Sequence, residues 1–68
     1  MKTIGSEYIR FRGLRFEVIA LHSNRILIRN VLTHDSTQIE TEKHVAELTK
    51  DDLRQYISQK FLELNGVL

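Results

Sequence analysis

The chain contains no cysteine and no proline, and only three glycines in 68 residues. Without cysteine, no disulfide can supplement the fold and no thiolate is available as a nucleophile or zinc ligand. That suits a reducing compartment. Without proline there is no rigid linker and no proline-marked domain boundary. Gly5, Gly13 and Gly66 lie too far apart to form a phosphate-cradling loop. No stretch approaches the roughly 20 apolar residues of a membrane span, and no apolar run of a secretory signal follows Met1-Lys2-Thr3. The expectation is one soluble cytoplasmic domain with no membrane association, either free-standing or a module of a larger chain. A core of this size rarely leaves more than ~3–5 kcal/mol of net stability.

Material for catalysis is equally sparse. His22, His34 and His44 are separated by twelve and ten residues, which matches no compact zinc pattern. Glu40 and Glu42 share a strand face, and Asp51 and Asp52 begin a helix. Carboxylate pairs do acid–base work only in a cleft that shifts their pKa values, and edge-strand solubility and helix capping explain these four. Ser6, Ser23, Ser36 and Ser58 lack a nucleophile-elbow context. The expectation is a non-enzymatic protein without cofactor or metal site.

What the chain does have is a run of alternating apolar and polar residues from Tyr8 to Leu32, the two-residue period of half-buried strands. Gly13 and Ser23-Asn24 interrupt it with the residues of tight turns; Gly13 offers positive φ, and Asn24 tolerates the left-handed region. The spacing predicts antiparallel strands over 7–12, 15–22 and 25–32. Ile9, Phe11, Phe16, Val18, Ala20, Ile26 and Ile28 form the expected core face. The opposite face is mixed, with Ile19, Leu21, Leu27 and Val31 among the arginines. Either the sheet curls so that its far end is buried on both sides, as in a small barrel, or these residues form an apolar patch for a partner; the reading adopted is the barrel. A turn over 33–36 leads to a fourth, polar strand over 37–41, suited to a sheet edge. Residues 43–48 are ambiguous: Val45 and Leu48 could belong to a short helical turn or a last strand, and the reading adopted is an irregular connector.

The helix signal follows. Thr49 suits an N-cap, Asp51 and Asp52 favour the positive end of the helix dipole, and Thr49 with Asp52 resembles a capping box. Leu53, Tyr56, Ile57, Phe61 and Leu64 recur at helical spacing, and Asn65-Gly66 offers a stop. The predicted fold is mainly β with one C-terminal α-helix: a four- to five-stranded antiparallel meander over 7–48, curled into a small SH3-like barrel and closed by a helix over 49–65. The helix stripe reads as core, with self-association into a homodimer as its alternative.

Charge is distributed unevenly. Residues 1–33 carry six basic side chains against two acidic ones, for +4; residues 34–68 carry four against seven, for −3. Arg10 and Arg12 share a strand face, as do Arg25 and Arg29; Arg15 joins them across the first hairpin, and Tyr8 lies on the same side. Arginine favours bidentate contacts to phosphate or carboxylate. Such a face could track a phosphate backbone while Tyr8 stacks on a base. It could equally meet a protein partner, or simply be solvated and paired with Glu7, Glu17 or the acidic half. The candidate nucleic-acid-binding residues are therefore Tyr8, Arg10, Arg12, Arg15, Arg25 and Arg29.

The order of a polar lead-in, strands such as Glu7–Arg12, Phe16–Leu21 and Arg25–Val31, a polar strand and a leucine-bearing exit such as Val45–Leu48 resembles the small SH3-like β-barrel modules. It is similar in particular to the β-rich module at the N-terminus of multi-subunit cut-and-paste transposases, over about Gly5–Leu53. In those proteins the module accompanies helix-turn-helix DNA-binding domains and a carboxylate-triad nuclease, which this chain lacks. The resemblance implies a binding module, transfers no functional residue one for one, and implies no transposition chemistry. Phage and mobile-element genomes also encode free-standing barrels of this kind, some acting on host proteins. The expected function is DNA or other nucleic-acid binding, or an accessory role in a nucleic-acid complex. The alternative is a protein-interaction module or inhibitor of a host complex.

Overall fold

Alternation sets the sheet. In the computed structural model, which describes residues 6–64, β1 (Ser6–Phe11), β2 (Leu14–His22), β3 (Arg25–Asn30) and β4 (Ser36–Glu40) pair in the order β1-β2-β3-β4, every neighbour antiparallel. The lead-in before Ser6, the Asn65-Gly66 stop and the apolar Val67-Leu68 end lie outside the described residues. The register keeps one apolar face together: Ile9 lies opposite Phe16, Val18 opposite Ile28, and Ala20 opposite Ile26. Ile9, Phe16, Val18, Ile26 and Ile28 are buried, and Phe11 and Ala20 pack against them. A slip of one residue would exchange this face for the arginines, so the pattern itself holds the register.

The turns are where local chemistry and expectation part. Arg12 and Gly13 both take positive φ, 52° and 78°, as a two-residue hairpin of the twist-matching kind requires. Ser23 and Asn24 do not use the left-handed region. The second hairpin instead carries a register shift between Ala20 and His22, and a bulge of this kind takes up strand twist that the turn itself does not supply. β3 ends at Asn30, two residues earlier than the pattern predicts. Asn30 Oδ1 accepts the backbone N–H groups of Leu32 and Thr33 at 2.8 and 3.2 Å and bends the chain out of the sheet. His34, with φ of 69°, completes this turn.

Residues 43–48 form a connector and not a fifth strand. Val45–Glu47 is a single 3-10 turn, capped where His44 Nδ1 accepts from the Ala46 N–H at 3.1 Å. Thr41 and Val45 donate to the backbone carbonyls of Asn24 and Ser23, both at 2.7 Å. The connector is thereby fixed to the β2–β3 turn, and Val45 and Leu48 reach the core.

The helix comes in two pieces, α1 (Lys50–Gln59) and α2 (Phe61–Leu64). Spacing alone predicts one continuous helix to Leu64. The break falls at Lys60, whose N–H is shared between the carbonyls of Tyr56 and Ile57 at 3.1 and 3.2 Å. Two tertiary contacts accompany the change of direction. The Phe61 ring packs edge-on to Phe11 and Phe16, with centroids 5.6 and 6.4 Å apart, and the Leu64 carbonyl accepts from Asn30 Nδ2 at 2.7 Å. Leu53, Ile57 and Leu64 are fully buried, so this stripe belongs to the core of its own chain; Leu62 points to solvent.

The capping box at Thr49 is complete. Thr49 Oγ1 accepts from the Asp52 N–H at 3.2 Å, and Asp52 Oδ2 accepts from the Thr49 N–H at 2.9 Å. The Thr49 backbone bond, ahead of the Thr49 hydroxyl and the Lys43 ammonium 3.7 Å away, holds the Asp52 carboxyl below its usual value against a partly opposing desolvation. A lowered folded-state pKa contributes stability above the unfolded pKa, and that contribution is lost as pH falls through the folded value. Asp52→Asn should therefore melt below the parent at neutral pH, and the two melting curves should converge as pH drops through the carboxylate range. A gap independent of pH would show that the Asp52 charge contributes nothing to the cap.

Candidate nucleic-acid interface

The helix covers one face of the sheet and leaves the other open. The sheet is not closed: β1 and β4 are its edges among the described residues. Closure of the kind expected to bury Ile19, Leu21, Leu27 and Val31 on both sides is not seen among the described residues. Ile19 and Leu27 are partly buried, and Leu21 and Val31 are exposed. A single short helix can shield only one side of a four-stranded sheet, so Leu21 and Val31 stay exposed and Ile19 and Leu27 are covered only in part.

Side chains on the open face fall into cross-strand rows. Arg10 lies opposite Arg15. The next row runs Tyr8, Glu17, Arg29, Ser36, followed by Ile19, Leu27 and Gln38, and then Arg25 with Glu40. Four arginines and two glutamates give this face a charge of +2, while the helix and connector carry most of the acidic residues.

The six candidate residues do not behave alike. Arg10 and Arg15 are exposed and make no ion pair among the described residues. Two guanidinium groups directly opposite each other repel, an arrangement better suited to an incoming anion than to stability. Tyr8 is 57% exposed and lines a shallow hollow with Ile9, Arg10 and Arg15. Its hydroxyl lies 3.5 Å from Glu17 Oε2.

Arg29 is already engaged. Its Nη2 donates to Glu17 Oε1 at 2.7 Å, with the Glu17 side chain largely covered, and its Nε is buried without a hydrogen-bond partner. Arg25 meets Glu40 only loosely, at 3.9 Å between exposed side chains, a pair worth ~0–1 kcal/mol. Arg12 leaves the face altogether. Its positive φ turns the side chain to the helix side of the hairpin, where the guanidinium sits 5.6 Å from the Phe11 ring centroid and 5.3 Å from that of Phe61. The structure thus brings Tyr8, Arg10 and Arg15 together, sets Arg25 and Arg29 on the same face in ion pairs, and removes Arg12.

Elsewhere, His22 and His44 line one hollow of about 260 Å³ with Ala20, Leu21, Ser23 and Val45. No group of three or more histidine or carboxylate side chains able to hold a metal ion occurs among the described residues. No described helix is long and apolar enough to cross a membrane. No family model, curated protein or solved structure matches the chain.

Proposed function

We propose that the open sheet face binds nucleic acid without catalysis, with Arg10 and Arg15 as the principal phosphate contacts and Arg25 in support. The observation that carries this reading is the exposed Arg10–Arg15 pair beside an exposed tyrosine, on a face whose glutamates are already engaged by other arginines. An open sheet serves such binding better than a closed SH3-like barrel, because a whole face stays accessible. The resemblance to transposase β-rich modules implies a binding module without choosing its partner. A second reading, a protein-interaction module, is favoured by the partly buried Ile19 and Leu27 at the centre of the face and the exposed Leu21.

Phosphate contacts displace counterions, so log affinity should fall linearly with log salt, by about 0.9 per contact on duplex DNA and 0.7 on single strands. Three arginines then give a slope magnitude of about 2–3. Replacing Arg10 and Arg15 together with Gln should remove about 1.4–1.8 of that slope and leave the melting temperature unchanged or raised. Fluorescence anisotropy across a salt series measures it. An unchanged slope in the double variant would remove these two arginines from the interface. Arg29 is unsuitable for this test, because its loss strands Glu17.

A further inference from the structure

Taking the nucleic-acid reading as its basis, we infer that the ligand is a single strand, laid across the open face with a base stacked on Tyr8 and its phosphates at Arg10 and Arg15. Three features of the face lead there. The first is its width. Four strands span about 14 Å between outer backbones, whereas the major groove of duplex DNA is about 12 Å wide and admits a two-stranded ribbon. The sheet cannot enter base-edge contact with a duplex; only its margin could touch one.

The second feature is the placement of charge. The unpaired arginines are gathered at the Gly13 end of the β1–β2 hairpin, and the row beside them is neutralised by the Arg29–Glu17 pair. Two cationic rims flanking a groove, which a duplex needs to have both its backbones contacted, are not found among the described residues: at the far end of the face Arg25 stands alone and faces Glu40. A single backbone needs only one cationic end.

The third feature is what lies beyond the arginines. Tyr8 stands one row from Arg10 on the same strand, and Ile19 and Leu27 stand side by side in the following row. Against a duplex, these groups would face the hydrated sugar–phosphate surface. Against a single strand they face bases, whose apolar faces they can cover. The other aromatic rings are placed differently: Phe11, Phe16, Tyr56 and Phe61 belong to the core or pack against it. Tyr8 therefore offers one stacking platform, which predicts binding that tolerates any base and depends heavily on this one ring.

The test uses the full chain, a labelled oligothymidine of about 15 nucleotides and a duplex of the same length, titrated at about 50 mM salt. The expected result is tighter binding to the single strand. Tyr8→Ala should weaken it roughly 5- to 150-fold, leave duplex affinity within about 2-fold of the parent, and keep the parent's melting temperature, because the side chain is mostly exposed. Tyr8→Phe, which keeps the ring and loses only the hydroxyl near Glu17, should retain single-strand affinity. Equal or tighter duplex binding, or a Tyr8→Ala variant that binds single strands normally, would overturn the single-strand inference and leave the phosphate reading standing. Absence of binding to either form would overturn both.

Discussion

Phe16→Ala is expected to leave this chain largely unfolded at room temperature. Phe16 is fully buried on β2, opposite Ile9 in the register, and its ring meets Phe61 edge-on at 6.4 Å. It is thus where the sheet and the end of the helix come together. Truncating a buried phenylalanine costs about 3–5 kcal/mol, comparable to the whole net stability of about 3–5 kcal/mol that a domain of this size commands. Ile28→Ala, at the centre of β3 and opposite Val18, should cost about 2–5 kcal/mol for the same reason. Thermal unfolding followed by circular dichroism reads both. Melting within a few degrees of the parent for both variants would mean that the core lies elsewhere.

The second large effect is expected from a polar residue. Asn30 is fully buried and satisfied at both ends of its amide: Nδ2 donates to the Leu64 carbonyl at 2.7 Å, and Oδ1 accepts from Leu32 and Thr33. One side chain thereby ends β3, shapes the β3–β4 turn and ties down the last turn of helix. Asn30→Ala strands these partners, and each buried unsatisfied group costs about 1–3 kcal/mol. The expected loss is at least that of an ordinary core truncation, about 2–5 kcal/mol. Asn30→Leu, which fills the volume without restoring the bonds, should not rescue it. A stable Asn30→Leu variant would show that volume, and not the hydrogen bonds, is what this position supplies.

Asn30 also illustrates where the sequence stops being informative. The strand positions, the core face and the capping box follow from periods and spacings that act over a few residues. Ile9 to Ile28 alternate, and Thr49 and Asp52 are three apart. Asn30 sits in an otherwise continuous alternating run, and its partner Leu64 is thirty-four residues away. Nothing local marks the position as a strand end, or marks Lys60 as the break between α1 and α2. The open face has the same history. Arg10 opposite Arg15 is readable from a two-residue hairpin, but the loss of Arg12 from the face depends on the positive φ that this hairpin imposes and on Phe61 arriving from the helix. The pairing of Arg29 with Glu17 depends on the β2–β3 register. Whether Ile19 and Leu27 would be covered depended on sheet closure, which alternation does not encode.

Under the proposed function, the face opposite the helix is the binding surface. Amide chemical-shift mapping during titration with the single-stranded oligonucleotide tests it directly. Perturbations are expected to centre on Tyr8, Arg10 and Arg15 and to extend to Ile19 and Leu27, with the amides of α1 and of Val45–Glu47 unmoved. Perturbations confined to α1 and the connector would contradict it.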